Sequence, residues 1–251
     1  MSRLGFIGTG HIAAPMVRFL AARGHEITVT RRNEGVSTAL AAECGVAVTD
    51  AAGVLEQSDI VFLCLRPHVA AEVLQGLAFR SDHRIVSVMA GVTEAELKSL
   101  CAPAADFVQT IPLGFLEQGG CPLAAYGNAE LLSTLFEPEN PVVTTPSEAA
   151  LNAHFAICAM VPGILDLMER ASSWLGAKTG NAAASEFYTT QLTAGFLDAM
   201  EKGAAGGLAT ERDALATDGT LSLQMVDDLR SGGAQDALCA ALSAIDERLN
   251  G

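Results

Sequence analysis

The chain has 251 residues, half of them hydrophobic and only 5% aromatic, which is enough to bury a substantial core and, at roughly 100 to 200 residues per domain, to build one or two domains. Its formal charge of -14 argues against a broad nucleic-acid surface and against attraction to anionic lipid. No apolar run reaches the roughly 18 to 20 residues of a membrane span, so the expectation is a cytoplasmic protein with neither nucleic acid nor membrane as partner.

The first segment, "RLGFIG", reads as a strand and runs into "TGHIAAPM", which opens a helix expected over Ile12 to Ala22. At the joint, Gly8, Gly10 and Ala13 stand in the order G-x-G-x-x-A. Gly8 permits a tight turn, Gly10 lets the backbone approach a pyrophosphate, and Ala13 lets helix pack closely on strand. A phosphate there meets the unpaired N–H groups and positive dipole end of a helix starting near Ile12. The strand before, the helix after and the next strand at a suitable distance turn a weak pattern into a dinucleotide site. His11 lies inside this loop, beside the expected phosphates.

The second strand, "EITVTR", decides between dinucleotides. A carboxylate at its end would accept from the ribose hydroxyls of NAD, but the chain offers Thr30, Arg31, Arg32 and Asn33. Two guanidiniums and a hydroxyl suit a 2′-phosphate, so NADP(H) is the expected cofactor.

Further strands are expected at "VAVT", "IVFLCL", "RIVSVM", "DFVQTIP" and "PLAAYG", with a last one at "PVVTT" and helices such as Val36 to Cys44 and Val69 to Leu77 between them. This alternation is that of an α/β, Rossmann-type doubly wound parallel sheet, taken here as residues 1–147. His68, just beyond the strand at "IVFLCL", sits where ligands gather in such sheets. After Pro146 the spacing turns helical and alanine-rich, predicting an all-helical C-terminal domain over 148–251. Phe155, Met160, Ile164, Leu165, Leu167, Met168, Trp174 and Leu175 exceed what one buried face needs, which points to a homodimer or higher homo-oligomer. His154, on this apolar helix, reads as a core or interface histidine. The six cysteines lack metal-ligand spacing, so buried free thiols are expected and no metal site.

The order of these pieces resembles the pyrroline-5-carboxylate reductase family, which reduces a cyclic imine with NAD(P)H. "GFIGTGHIAAPM" is similar to the family's opening fingerprint, "IVFLCLRPHVAAEVL" to its strand and turn ending in Val-Lys-Pro, and "RIVSVMAGVTEAEL" to its Ile-Ser-x-x-Ala-Gly-Ile segment. The resemblance implies that Leu65, Arg66, Pro67, Ala90, Gly91 and Pro112 border the cofactor. Arg66 stands for the usual lysine, and Leu113 for the asparagine of Met-Pro-Asn.

In the helical part, "CAMVPG" shares only Pro162 with the family's Ser-Gly-Ser-Gly-Pro-Ala. "ATDGTLSLQMVDDLRSGG" resembles the family's substrate loop, which places Asp218, Gly219, Thr220, Leu221 and Ser222 at the substrate, with the hydroxyl of Ser222, or of Thr220 if the register slips, at the imine nitrogen. Asp218 would repel a substrate carboxylate unless it turns away as the cap of the next helix; alternatively, it would suit a cationic iminium. Because the transferred hydride belongs to the cofactor, no catalytic base is required. Two other readings stand beside an imine reductase acting on a small molecule. The opening is also similar to that of the 3-hydroxyisobutyrate dehydrogenase family, whose helix lysine is missing from "SEAALNAHFAICAMV". A non-catalytic NADPH-binding redox or partner-binding module is the other.

Overall fold

The computed structural model describes residues 2–250. Eight strands form one sheet: β1 Arg3–Ile7, β2 Glu26–Thr30, β3 Ala47–Thr49, β4 Ile60–Leu63, β5 Arg84–Ser87, β6 Asp106–Thr110, β7 Leu123–Gly127 and β8 Val142–Thr144. Their order across the sheet is β3-β2-β1-β4-β5-β6-β7-β8. All neighbours are parallel except β6 and β7. The order reverses between β1 and β4, and in open sheets of this kind the crevice at that reversal, beyond the carboxyl ends of the strands, is where ligands bind. The expected fold class is therefore observed, with each strand lying within its predicted segment.

Helices connect the strands: α1 Ala13–Ala22, α2 Glu34–Cys44, α3 Ala51–Gln57, α4 Pro67–Leu74, α5 Glu94–Leu100 and α6 Ala129–Phe136. β4 is buried along its whole length, as a central parallel strand covered on both faces must be. Because side chains alternate, Ile60 and Phe62 enter one core while Val61 and Leu63 enter the other. Phe6 of β1 stacks on Phe62 with ring centroids 4.4 Å apart, and Phe136 meets Phe62 edge-on. This pins β1 to β4, the two strands that flank the crevice.

The helix starts differ in a way that matters for the site. Asn33, Asp50 and Asn128 each accept from a backbone N–H in the first turn of α2, α3 and α6, and Thr93 with Glu96 closes α5 as a capping box. No side chain caps α1 or α4.

After α7 (Glu148–Cys158) come α8 Met160–Thr179, α9 Ala182–Ala199, α10 Gly207–Leu215, α11 Leu221–Ser231 and α12 Ala234–Asn250. The chain divides into two compact units, one running to Phe155 and taking in Leu249, the other Ala156–Arg248. Within the second, α8 and α9 form a hairpin turned by Gly180 at φ +74° and capped by Asn181. Ser172 and Ser185 are buried between these helices, whereas α10, α11 and α12 bury no residue completely.

One expectation needs correction. The helical stretch Glu148–Thr179 is 32 residues long and contains a window of mean hydropathy 1.5, long and apolar enough to cross a membrane by length and composition. Asn152, His154 and small residues interrupt the apolar run, but no charged side chain stands between Glu148 and Asp166. Averaged along a helix, the segment passes where a count of uninterrupted apolar residues does not.

Candidate functional site

The glycine turn is held from below by threonines. The Thr30 hydroxyl accepts from the Gly8 N–H at 2.9 Å, and the Thr9 hydroxyl donates to the Thr30 carbonyl at 2.6 Å. Thr30, expected to offer its hydroxyl to a 2′-phosphate, is buried and spends that hydroxyl on the loop. Gly8 takes φ +99°, and a Cβ there would lie 2.4 Å from the Cys64 carbonyl oxygen, so the residue is fixed twice over. A Cβ on Gly10 would meet nothing within 4 Å. Ala13 is buried at the start of α1, as close packing on the strand requires.

Two adjoining cavities open at the carboxyl ends of the strands. The first, of about 460 Å³, is lined by Ile7, Gly8, Thr30, Arg31, Arg32, Thr49, Asp50, Ala51, Leu65 and Val73. A second, of about 480 Å³, shares Gly8, Arg32 and Leu65 with it and adds Thr9, Gly10, Asn33, Glu34, Cys64, Arg66, His68 and Val69. Arg31, Arg32 and Arg66 are exposed and have no carboxylate within ion-pair distance among the described residues. Three guanidiniums against the carboxylates of Asp50 and Glu34 leave the combined lining with one net positive charge, in a chain of net charge -14. Burial pushes the Cys64 thiol up, which makes it an inert wall. His25 and His83, whose pKa values burial lowers, line neither cavity.

The cavities thus bring together Gly8, Gly10, Thr30, Arg31, Arg32, Leu65, Arg66 and His68. His11 and Ile12 are exposed at the start of α1, Pro67 is the first residue of α4, Ala90 and Gly91 follow β5, and Pro112 is buried after β6; none of these lines either cavity. Sequence reasoning missed Thr49, Asp50 and Ala51, and beyond them Ile7, Thr9, Glu34, Cys64, Val69 and Val73. The first three occupy the carboxyl end of β3, a position the switch-point rule points to once the strand order is known.

An NADP-sized group fits this surface. Gly10 leaves open space where a side chain would otherwise stand, the amino ends of α1 and α4 are uncapped, and three cations lack partners.

The substrate candidates lie elsewhere, in the helical unit. Thr220, and not Asp218, caps α11: its hydroxyl accepts from the Leu223 N–H at 3.2 Å and donates to the Thr217 carbonyl at 2.7 Å. The two-residue offset arises because Gly219, at φ +79°, carries the chain round after Asp218, so that only Thr220 meets the first turn. Asp218 is exposed, Leu221 is 85% exposed, and the Ser222 hydroxyl has no hydrogen-bond partner among the described residues.

Comparison with known proteins agrees with the sheet and the glycine turn. A family profile described as "NADP oxidoreductase coenzyme F420-dependent" matches residues 3–91. A pyrroline-5-carboxylate reductase of Mycobacterium tuberculosis is 25% identical, with 99% of this chain and 96% of that protein covered. The solved pyrroline-5-carboxylate reductase of Coxiella burnetii superposes with a TM-score of 0.80 at 21% identity, covering 99% and 97% of the two chains. That of Plasmodium falciparum, solved with NADP bound, gives 0.83 at 14% identity, covering 98% and 96%. At such identities the solved structures speak for the fold.

Proposed function

We propose that the chain is a divergent member of the pyrroline-5-carboxylate reductase family, an NADP(H)-dependent oxidoreductase reducing a C=N bond, with pyrroline-5-carboxylate or a related cyclic imine as substrate. The observation that carries this reading is the paired cavity at the crevice, where Arg31 and Arg32 line the same walls as the glycine turn at Gly8 and Gly10. Residues 1–147 hold the cofactor, and residues 148–251 supply the substrate contacts and the subunit contact.

The reaction adds one hydride to the imine carbon and leaves the nitrogen, already protonated as an iminium, as an amine. When bound, NADPH supplies the hydride. The protein's share is to hold both partners in register, to keep water away and to favour the protonated nitrogen. No side chain has to remove a proton from carbon. Because the Thr220 hydroxyl already serves the helix cap at both its donor and its acceptor side, Ser222 is the hydroxyl left for the nitrogen. Asp218, freed from capping, adds a negative charge that favours an iminium, and a substrate carboxylate binds on the side turned away from it.

The test is oxidation of NADPH by the purified protein, followed through the absorbance of the reduced nicotinamide, with pyrroline-5-carboxylate and with cyclic imines lacking a carboxylate. Turnover of the first, faster with NADPH than with NADH and reduced in Ser222→Ala, is the expected result. Turnover of only the second group would move the substrate class, and NADPH binding without any turnover would leave a cofactor-binding module.

We further propose that the helical unit self-associates. Leu165, Leu167, Trp174, Phe187, Tyr188 and Leu192 are each at least 57% exposed, and Ile164 is exposed beside them, while Phe155, Met160, Met168 and Leu175 are partly covered. A monomer rarely leaves so many large apolar side chains of two neighbouring helices in water. A second copy covering them would account for the apolarity of Glu148–Thr179 without a membrane, and the free thiols of Cys44, Cys64, Cys101, Cys158 and Cys239 suit the cytoplasm. Sedimentation equilibrium at micromolar concentration should give a dimer or larger, and Leu167→Asp with Phe187→Asp should give monomers; a monomeric unmodified protein would sink the idea.

A further inference from the structure

The carboxylate of Asp50 sits in the first cavity with one oxygen committed and one free. Its Oδ1 accepts from the Gly53 N–H at 2.8 Å, which caps α3 and fixes the side-chain rotation. No ion pair or second hydrogen bond engages Oδ2 among the described residues, although the cavity contains two guanidiniums. Around it, Ile7, Ala51, Leu65 and Val73 give the cavity an apolar wall suited to a flat ring, and Arg31 and Arg32 can lie across the ring's other face or hold a phosphate at its rim.

Resting on the reading of the site as one for NADP(H), we propose that Asp50 selects adenine by accepting a hydrogen bond from its exocyclic amine. A carboxylate only accepts, and once adenine is joined to ribose that amine is its one N–H donor group. The ribose and its 2′-phosphate match the end of β2, where Arg31 and Arg32 stand. β3 lies one strand farther out, at about 4.8 Å spacing, where the far edge of a base tethered at β2 arrives. Asp50 thereby distinguishes adenine from a 6-oxopurine, whose oxygen would set lone pairs against lone pairs. The helix cap adds a directional consequence. In Asp50→Asn the amide oxygen must stay on the Gly53 N–H, so the amide NH2 takes the place of Oδ2 and turns the acceptor into a donor.

The experiment is a fluorescence titration of the whole protein with NADPH and with its analogue carrying hypoxanthine in place of adenine. Unmodified protein should bind NADPH about tenfold more tightly, the size expected for one charge-assisted hydrogen bond at a partly exposed site. Asp50→Asn should reverse or level that ratio, and Asp50→Ser, which keeps a capping oxygen but offers nothing to the base, should bring it close to one. Both variants should keep the thermal midpoint of the unmodified protein, since all three residues cap helices. Equal affinity for the two nucleotides, or an unchanged ratio in Asp50→Asn, would overturn the role of Asp50 while leaving the cofactor reading standing. Failure to bind either nucleotide would overturn both.

Discussion

Replacing Arg31 and Arg32 together with alanine is expected to weaken NADPH binding by about 100-fold or more while changing NADH binding by less than about threefold. Each guanidinium can give two charge-assisted bonds to a 2′-phosphate, and hydrogen bonds to charged groups contribute about 1.5 to 3 kcal/mol each where solvent is excluded, less at an exposed rim. Both side chains are exposed and engage no carboxylate among the described residues, so removing them breaks no ion pair there and should leave folding intact. The same electrostatics make NADPH affinity of the unmodified protein fall with added salt, and the double variant should flatten that dependence. Titrations of both nucleotides at two ionic strengths check the prediction. A parallel loss for NADPH and NADH would mean the arginines support the loop and do not read the phosphate.

The arginine pair was legible because it stands at the end of a recognisable strand, and strand ends in a doubly wound sheet are where ligands meet the chain. The strands themselves were legible for a plain reason: "IVFL" and its neighbours are short apolar runs bounded by turn residues, and burial on both faces demands such runs. Less legible was α3, "AAGVLEQ", which has only seven residues with a glycine inside, too short for helical periodicity to declare itself. Missing α3 also hid Asp50, whose capping role shows only once the helix it caps is known. Thr30 is the opposite case. Its place at the end of β2 suggested a phosphate contact, and it does line the cavity, but its hydroxyl also accepts from the Gly8 N–H, a use that only the folded geometry shows. Asp218 and Thr220 are both good capping residues two positions apart, and the choice between them rested on the left-handed turn at Gly219.

The glycine turn yields the second large effect, because its two glycines are needed for different reasons and should fail in different ways. Gly8→Ala puts a side chain on a backbone at φ +99°, a conformation costing about 1 to 3 kcal/mol for a residue other than glycine. It also drives a Cβ to 2.4 Å from the Cys64 carbonyl oxygen, a backbone atom at the end of β4 that can yield only if the β1–β4 pairing shifts. A total of about 3 kcal/mol or more out of the 5 to 15 typical of a domain should lower the thermal midpoint by about 10 °C and weaken the cofactor as a consequence. Gly10→Ala meets open space and has no such conformational demand, so its midpoint should stay within about 2 °C. Its Cβ would instead occupy the approach of the pyrophosphate to the start of α1, and NADPH affinity should fall by about tenfold or more with stability unchanged. Thermal denaturation and NADPH titration of the two variants side by side separate the effects. If Gly10→Ala bound NADPH as tightly as the unmodified protein, the pyrophosphate would not pass over that residue, and the glycine turn would be a structural corner only.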